Sequence, residues 1–268
     1  MTLQQIRLSL EDDQGKIELN GEINEALALG LEGGLQTLFG YYKYERVTLR
    51  INSPGGMLVA LRHILEYVQF WRERGHRIET EASFCAASAA AMLMTFGDVG
   101  TRTVHRHTHL LFHHTRIGGT SSAITAGGAN YLASLLKNSD AGMLKQAVNH
   151  IISNLGGIDA HRDEGLARCE LLLTKSESIA NALGLHDGGR QPRWLKPLCN
   201  MYRDSEGKKN AAGYFRYLEK RFDQDSTMDL REAYALCLLD QIHGISELKM
   251  LQLPEDMKAH ALDCMMPT

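Results

Sequence analysis

Phe84-Cys-Ala-Ala-Ser-Ala-Ala-Ala-Met-Leu-Met94 is a run of small residues with one hydroxyl, Ser88, at its centre. Ala86, Ala87, Ala89, Ala90 and Ala91 are too small to cover that serine, and Met92, Leu93 and Met94 then turn the segment apolar. The pattern predicts a strand end that turns into a buried helix. Such a turn exposes one side chain, and the helix begins with N–H groups that have no intrahelical partner. A serine presented this way is a candidate nucleophile, and it needs a base for its proton and donors for the oxyanion it creates.

The flanking sequence offers both. Ahead of the serine, Val47-Thr-Leu-Arg-Ile51 reads as a strand and Asn52-Ser-Pro-Gly-Gly56 as a glycine turn whose bare N–H groups can approach a carbonyl. Behind it, Leu110-Leu-Phe-His-His114 is a short apolar run ending in two imidazoles, followed by Gly118 and Gly119.

As an ordered set, Asn52-Ser-Pro-Gly-Gly56, Ala86-Ala-Ser88 opening an apolar helix, and a hydrophobic strand ending at His113 before a Gly-Gly pair resemble the proteolytic subunit of the Clp protease, in the Clp-protease/crotonase superfamily. Gly21-Glu-Ile-Asn24 and Ala182-Leu-Gly-Leu-His-Asp187 sit where that family has similar signatures, so the resemblance runs from Lys16 to Asp187. It implies an α/β, Clp-protease/crotonase-like fold of repeated β-β-α units, and a serine-type endopeptidase that hydrolyses peptide bonds through an acyl-enzyme. Ser88 would be the nucleophile and His113 the base, and the N–H groups of Gly56 and Ala89 would form the oxyanion hole. Matching Leu110, Leu111 and Phe112 to the family's strand puts the base at His113 rather than at its rival His114. The orienting carboxylate is implied by anchoring on Leu171-Leu-Leu-Thr-Lys-Ser-Glu177 and Gly184-Leu185, which sets Glu170 where the family has an aspartate. Asp163 and Glu164 are the alternatives.

The resemblance also implies self-association into rings, peptide or unfolded-protein substrates, a separate ATP-driven unfoldase as partner, and no cofactor. A Gly-x-x-x-x-Gly-Lys-Ser/Thr motif is absent from the chain, so any ATP use would belong to that partner. Two rival classes stand beside this reading. A crotonase-type acyl-coenzyme A enzyme would share the oxyanion geometry without needing Ser88 and His113 at this interval. A non-catalytic scaffold would keep the fold and lose the site, and the departure at Glu170 favours it.

Hydrophobic periodicity organises the rest. Residues 3–10 and 16–20 read as strands around Glu11-Asp-Asp-Gln-Gly15, and Leu27, Leu31, Leu35 and Leu38 mark a helix over Glu25 to Phe39. Leu61, Ile64, Leu65, Val68 and Trp71 mark a second helix that Gly75 ends before a strand over Arg77 to Ala82. Strand, helix, strand, helix implies parallel pairing by right-handed crossovers. A long helix is expected over 126–156, with Leu132, Leu135, Leu136, Leu144, Ala147, Ile151 and Ile152 facing a partner surface. Pro192-Arg-Trp-Leu-Lys-Pro197 interrupts the pattern, giving a peptidase domain over 1–190 and a helical C-terminal extension over 191–268, with helices at Ala211 to Arg221, Leu230 to His243 and Ile245 to Leu251. The extension reads as a lid or oligomer contact, or as a partner or substrate adaptor.

At 268 residues, 44% apolar and 23% charged, the chain has the composition of a soluble globular protein with one large core or a core with an appended domain. It has no apolar run near the ~20 residues of a membrane span, and no export signal is read at its start. A net charge of −3 gives no basis for nucleic-acid binding. Five widely spaced cysteines suit a reducing cytoplasm better than a disulfide framework or a zinc site. His105, His107 and His109 alternate as metal ligands on one strand face would, but no carboxylate or cysteine sits among them, and no metal is expected.

Overall fold

Alternating apolar and polar residues set the first two strands, β1 (Ile6–Leu10) and β2 (Gly15–Asn20), which pair antiparallel with Ile6 opposite Leu19. The computed structural model describes residues 6–10, 14–115, 126–185, 190–204 and 207–248. Outside the described residues lie the expected strand start at 3–5, Gly118, Gly119, His186, Asp187, the end of the helix expected at Ile245 to Leu251, and Cys264.

Helix α1 (Glu25–Leu35) starts where Asn24 Oδ1 accepts the Leu27 N–H at 2.9 Å, and it runs on into a π-helical turn, Gln36–Tyr41. Its leucine stripe, Leu27, Leu31 and Leu35, is fully buried. Strand β3 (Arg46–Ser53) pairs parallel with β2. Helix α2 (Leu58–Arg72) then crosses over, burying Leu61, Ile64, Val68 and Trp71, and β4 (Arg77–Ala87) returns parallel to β3. Burying each such side chain contributes about 1.5–3 kcal/mol, so the stripe fixes which helix face meets the sheet. After the short helix α3 (Ala89–Thr95) come β5 (Arg102–His105) and β6 (His109–Leu111). Strand β4 changes partner along its length: Thr80–Ala82 pair with β5, and Cys85–Ala87 pair with β6. The change coincides with a register shift against β3, where Ile51 faces Ala82 but Ser53 faces Ala86.

Helix α4 (Ala126–Asn154) divides in two. Leu144, Ala147 and Ile151, expected on a partner surface, are buried in the core of this chain, because the helix docks there on α3 and on the later helices. Its first half is open, with Tyr131 66% and Leu135 46% exposed. Helices α5 (Ile158–Thr174) and α6 (Ser176–Ala182) follow.

Beyond residue 190 come α7 (Leu195–Asp204), α8 (Gly207–Phe222) and α9 (Leu230–Ala235). The helix expected over Leu230 to His243 stops at Ala235, and Gln241–His243 form β7, which pairs parallel with β5. The sheet therefore runs β1-β2-β3-β4-β5-β7, with β6 beside β4. Among the described residues, β1–β2 is the one antiparallel pairing between named strands, as expected for an α/β sheet wound by helical crossovers. Residues 191 onward share one hydrophobic core with what precedes them: Leu198, Tyr202, Tyr214 and Leu239 are fully buried in it. No helix among the described residues is long and apolar enough to cross a membrane.

Candidate active site

Ser88 stands at the junction of β4 and α3 with φ 56° and ψ −123°, a conformation that L-residues rarely adopt. Holding it costs about 1–3 kcal/mol, which the surroundings must offset. Two bonds fix it: Ser88 N–H donates to the Leu111 carbonyl at 2.7 Å, and Met92 N–H donates to the Ser88 carbonyl at 3.1 Å. A strand-to-helix turn of this strained kind lifts a serine Oγ clear of the sheet and sets it beside the first free N–H groups of the helix. Ala89, the first helical residue, supplies one of those groups.

The Asn52-Ser-Pro-Gly-Gly56 turn packs against this elbow. A Cβ on Gly55 (φ +97°) would lie 2.5 Å from the Ala87 carbonyl oxygen and 2.6 Å from Ser88 Cβ, so only glycine lets the turn approach. Ser53 Oγ accepts the Gly55 N–H at 3.0 Å and pins the turn. Ile23 donates to the Gly55 carbonyl and accepts from Met57 N–H, both at 2.7 Å. In a parallel bridge of this form the residue between, Gly56, turns its own N–H to the opposite side. Gly56, Ser88, Ala89 and His113 line one cavity of about 180 Å³, whose apolar lining includes Leu61, Met92, Met143, Leu144 and Phe222.

His113 follows β6, and its ring Nδ1 lies 2.6 Å from the carbonyl oxygen of His114. A carbonyl only accepts, so Nδ1 carries the hydrogen, and in the neutral ring the lone pair is then on Nε2, which is the tautomer a general base needs. Among the described residues no hydrogen bond joins Ser88 Oγ to His113. Catalytic contacts of this type commonly tighten only with substrate bound. His114 is engaged on both sides, with Nδ1 3.3 Å from Asp140 Oδ2 and Nε2 2.9 Å from Asp223 Oδ1. Neither of its nitrogens is left to serve Ser88.

Glu170 is not brought to this cavity. Helix α5 runs unbroken through it and buries His161, Glu164, Gly165, Arg168 and Leu172, which turns Glu170 to the opposite face. There its half-exposed carboxylate pairs with Arg203 at 3.3 Å. Asp163 is on the same outer face, bonded to Arg162, and Glu164 is buried against Arg168 at 2.6 Å. The structure thus brings none of Glu170, Asp163 and Glu164 to the cavity, and the carboxylate that lines it is that of Asp140 on α4. Asp140 accepts from Thr115 N–H at 3.1 Å and from the Thr115 hydroxyl, and so ties the chain after β6 to α4 through Thr115 and His114. Its signal in the sequence was a lone acid at four-residue spacing between Leu136 and Leu144, on a stripe that is otherwise apolar. Glu170→Gln is expected to leave activity unchanged and to shift stability by no more than about 0.5 kcal/mol, read from the urea midpoint beside the turnover rate.

The alternating histidines do not converge. His105 bonds Glu81 at 2.7 Å and stacks on His243, His107 meets Arg106, and His109 bonds Thr227 at 2.9 Å. Among the described residues no group of three or more His, Cys, Asp or Glu side chains is arranged to hold a metal ion. Cys85, Cys169, Cys199 and Cys237 are free thiols.

A family model for the Clp protease matches residues 4–164. The chain is similar to the ATP-dependent Clp protease proteolytic subunit 1 of Corynebacterium glutamicum, 32% identical over 109 residues that cover 41% of this chain and 51% of that protein. It is also similar to subunit 3 of Synechococcus sp. (strain CC9902), 25% identical over 165 residues, 62% of this chain and 78% of the other. Subunit 4 of Rhodococcus jostii is 34% identical over 119 residues, 42% of this chain and 58% of its own length. The chain spans about half the length of the first of these relatives.

Proposed function

The chain belongs to the Clp protease family, and from that premise we propose that it is a serine peptidase that cleaves peptide bonds through an acyl-enzyme at Ser88. The observation that carries this is the strained elbow at Ser88, held against a glycine turn and sharing a cavity with an imidazole whose Nε2 keeps its lone pair. In the proposed reaction Ser88 Oγ attacks the scissile carbonyl carbon while His113 Nε2 takes its proton. The developing oxyanion is held by the N–H groups of Gly56 and Ala89. The C–N bond then breaks, the imidazolium gives its proton to the leaving amine, and an ester remains on Ser88. Water, deprotonated by His113, attacks that ester and releases the acid, which restores the serine. No cofactor enters these steps.

The His114 carbonyl takes the orienting part that a carboxylate plays in a triad. It fixes the tautomer, but as a neutral dipole it stabilises the imidazolium less than a full charge would. That same feature favours a second reading, a non-catalytic scaffold of the same fold. Incubation with a serine-directed fluorophosphonate, followed by peptide mapping, separates the two. Labelling at Ser88 that is abolished by prior heat unfolding is expected, and a native protein that takes no label at Ser88 leaves the scaffold.

The partner reading joins this one: self-association, peptide or unfolded-protein substrates, and a separate ATP-driven unfoldase. The open first half of α4, where Tyr131 and Leu135 are exposed, supports the self-association part of it. Apolar residues left open on one helix favour a mate of the same kind. Light scattering at micromolar concentration is expected to give a multimer. A mass of one chain, 29.9 kDa, would refute self-association.

A further inference from the structure

The segment beyond the matched family region closes the cavity at Ser88 from the side of β6. Met228 N–H donates to the Leu110 carbonyl at 2.8 Å, Thr227 bridges antiparallel to Leu111, and Thr227 Oγ1 meets His109 Nε2 at 2.9 Å. Phe222, at the end of α8, stacks on Phe112 of the same β6 extension, with centroids 4.9 Å apart and ring planes within 10°. Phe112 and Phe222 are 1% and 5% exposed, so the stack is a packed seam. The next residue, Asp223, reaches His114 Nε2, which in turn meets Asp140 on α4. Behind the seam Arg221 is paired with Glu232 at 3.0 Å and donates to the Thr227 carbonyl, also at 3.0 Å, so the turn from 221 to 228 is held as one piece.

Resting on the peptidase reading, we propose that Phe222 is a specificity-determining residue. It is the wall that limits the size of the apolar side chain accepted on the acyl side of the scissile bond, and the Asp223–His114–Asp140 clasp is the device that positions it. The other large apolar lining residues, Leu58, Leu61, Met92, Met143 and Leu144, come from α2, α3 and α4, so Phe222 is the contribution of the C-terminal segment to the pocket. Held face to face with Phe112, the Phe222 ring bounds a cavity of only about 180 Å³, a size that suits a leucine side chain better than an indole. An added methylene in an apolar pocket changes kcat/KM about 10-fold or more, which sets the scale of the discrimination.

The test uses the full chain and coumarin-capped short peptides that differ only in the residue before the coumarin, Leu, Phe or Trp. Phe222→Leu, which keeps the site apolar, is expected to raise the Trp-over-Leu ratio of kcat/KM by about 10-fold. Partial unfolding removes active molecules equally for every substrate and leaves that ratio unmoved, so the ratio isolates the wall from the fold. Asp223→Asn, at a 68% exposed side chain that folding tolerates, is expected to move the ratio in the same direction by less. A ratio unchanged in Phe222→Leu, with Ser88 still labelled by fluorophosphonate at the wild-type rate, overturns this inference alone. A wild-type chain that neither takes label at Ser88 nor turns over any of the three peptides overturns the peptidase reading, and the inference with it.

Discussion

Ser88→Ala is expected to lower kcat for peptide hydrolysis by about 10⁴-fold or more while leaving the fold in place. The hydroxyl removed carries no structural hydrogen bond as a cap of α3, and an alanine keeps the same backbone N–H and carbonyl bonds to Leu111 and Met92. Alanine keeps the same Cβ at φ 56°, so the strain is neither relieved nor increased. His113→Ala is expected to cost nearly as much, because nucleophile and base act as a unit and their losses do not add. His114→Ala should be milder, since both of its ring nitrogens face carboxylates rather than the serine. The measurement is turnover of a fluorogenic peptide beside the urea midpoint of each variant. Ser88→Ala retaining activity within tenfold of wild type would sink the nucleophile assignment, and a reversal between the two histidines would move the base to His114.

Why the elbow was legible and the position of Glu170 was not comes down to range. The strand, the serine and the helix are one short segment, and residues too small to cover the hydroxyl announce the turn locally. The glycine turn was legible for a similar reason, since the space at Gly55 admits no side chain. Glu170 was placed by its distance from Gly184-Leu185, which presumes a break between strand and helix. Instead α5 is a single helix whose inward face is set by the spacing of His161, Glu164, Arg168 and Leu172, and a residue two beyond Arg168 points about 200° away from it. On α4 periodicity revealed the apolar stripe but not what covers it. Leu144 and Ile151 are buried by their own chain, and only the first half is left open.

The C-terminal segment was misread for a different reason. Leu236 to Leu239 is an unbroken apolar run, and without polar residues to mark a period, helix and buried extended chain look alike. The chain leaves the helix at Ala235, turns through Cys237 at φ 54°, and reaches Asp240 and β7. The carboxylate of Asp240, which the periodicity places inside the helix expected over Leu230 to His243, ties this late strand to the sheet by accepting from Gly100 N–H and from Arg102.

Asp240→Asn is expected to cost about 3–5 kcal/mol at neutral pH, a large share of the 5–15 kcal/mol that holds a domain folded. The Asp240 side chain is 1% exposed and accepts five hydrogen bonds: from Gly100 N–H at 2.7 Å, Arg102 N–H at 3.1 Å, Arg102 Nε at 2.8 Å and Nη2 at 2.6 Å, and Arg168 Nη2 at 3.3 Å. Arg168 also binds Glu164, so two cations and two anions balance in a dry interior. An asparagine leaves one positive charge uncompensated and turns an NH₂ toward donors that need an acceptor. Burial opposes the charge on Asp240, but the guanidiniums of Arg102 and Arg168 and the hydrogen bonds outweigh it and hold the carboxyl below the usual range. A carboxyl with a lowered folded value contributes stability above its unfolded value of about 3.9, and that stability is lost as pH falls further, through the folded value. The gap between wild type and Asp240→Asn in urea unfolding should therefore be constant from pH 8 to about 5 and narrow below about 4. Two buried histidines also weaken the fold in acid. Burial, aided by nearby arginines, pushes His150 down to about 4 and His161 to about 3, so unfolding takes up their protons below the ordinary histidine value of about 6.5. The Asp240 charge opposes part of the fall at His150, so that histidine also enters the difference between the two proteins in acid. Equal urea midpoints at pH 7 would show that the buried network does not hold β7 to the sheet.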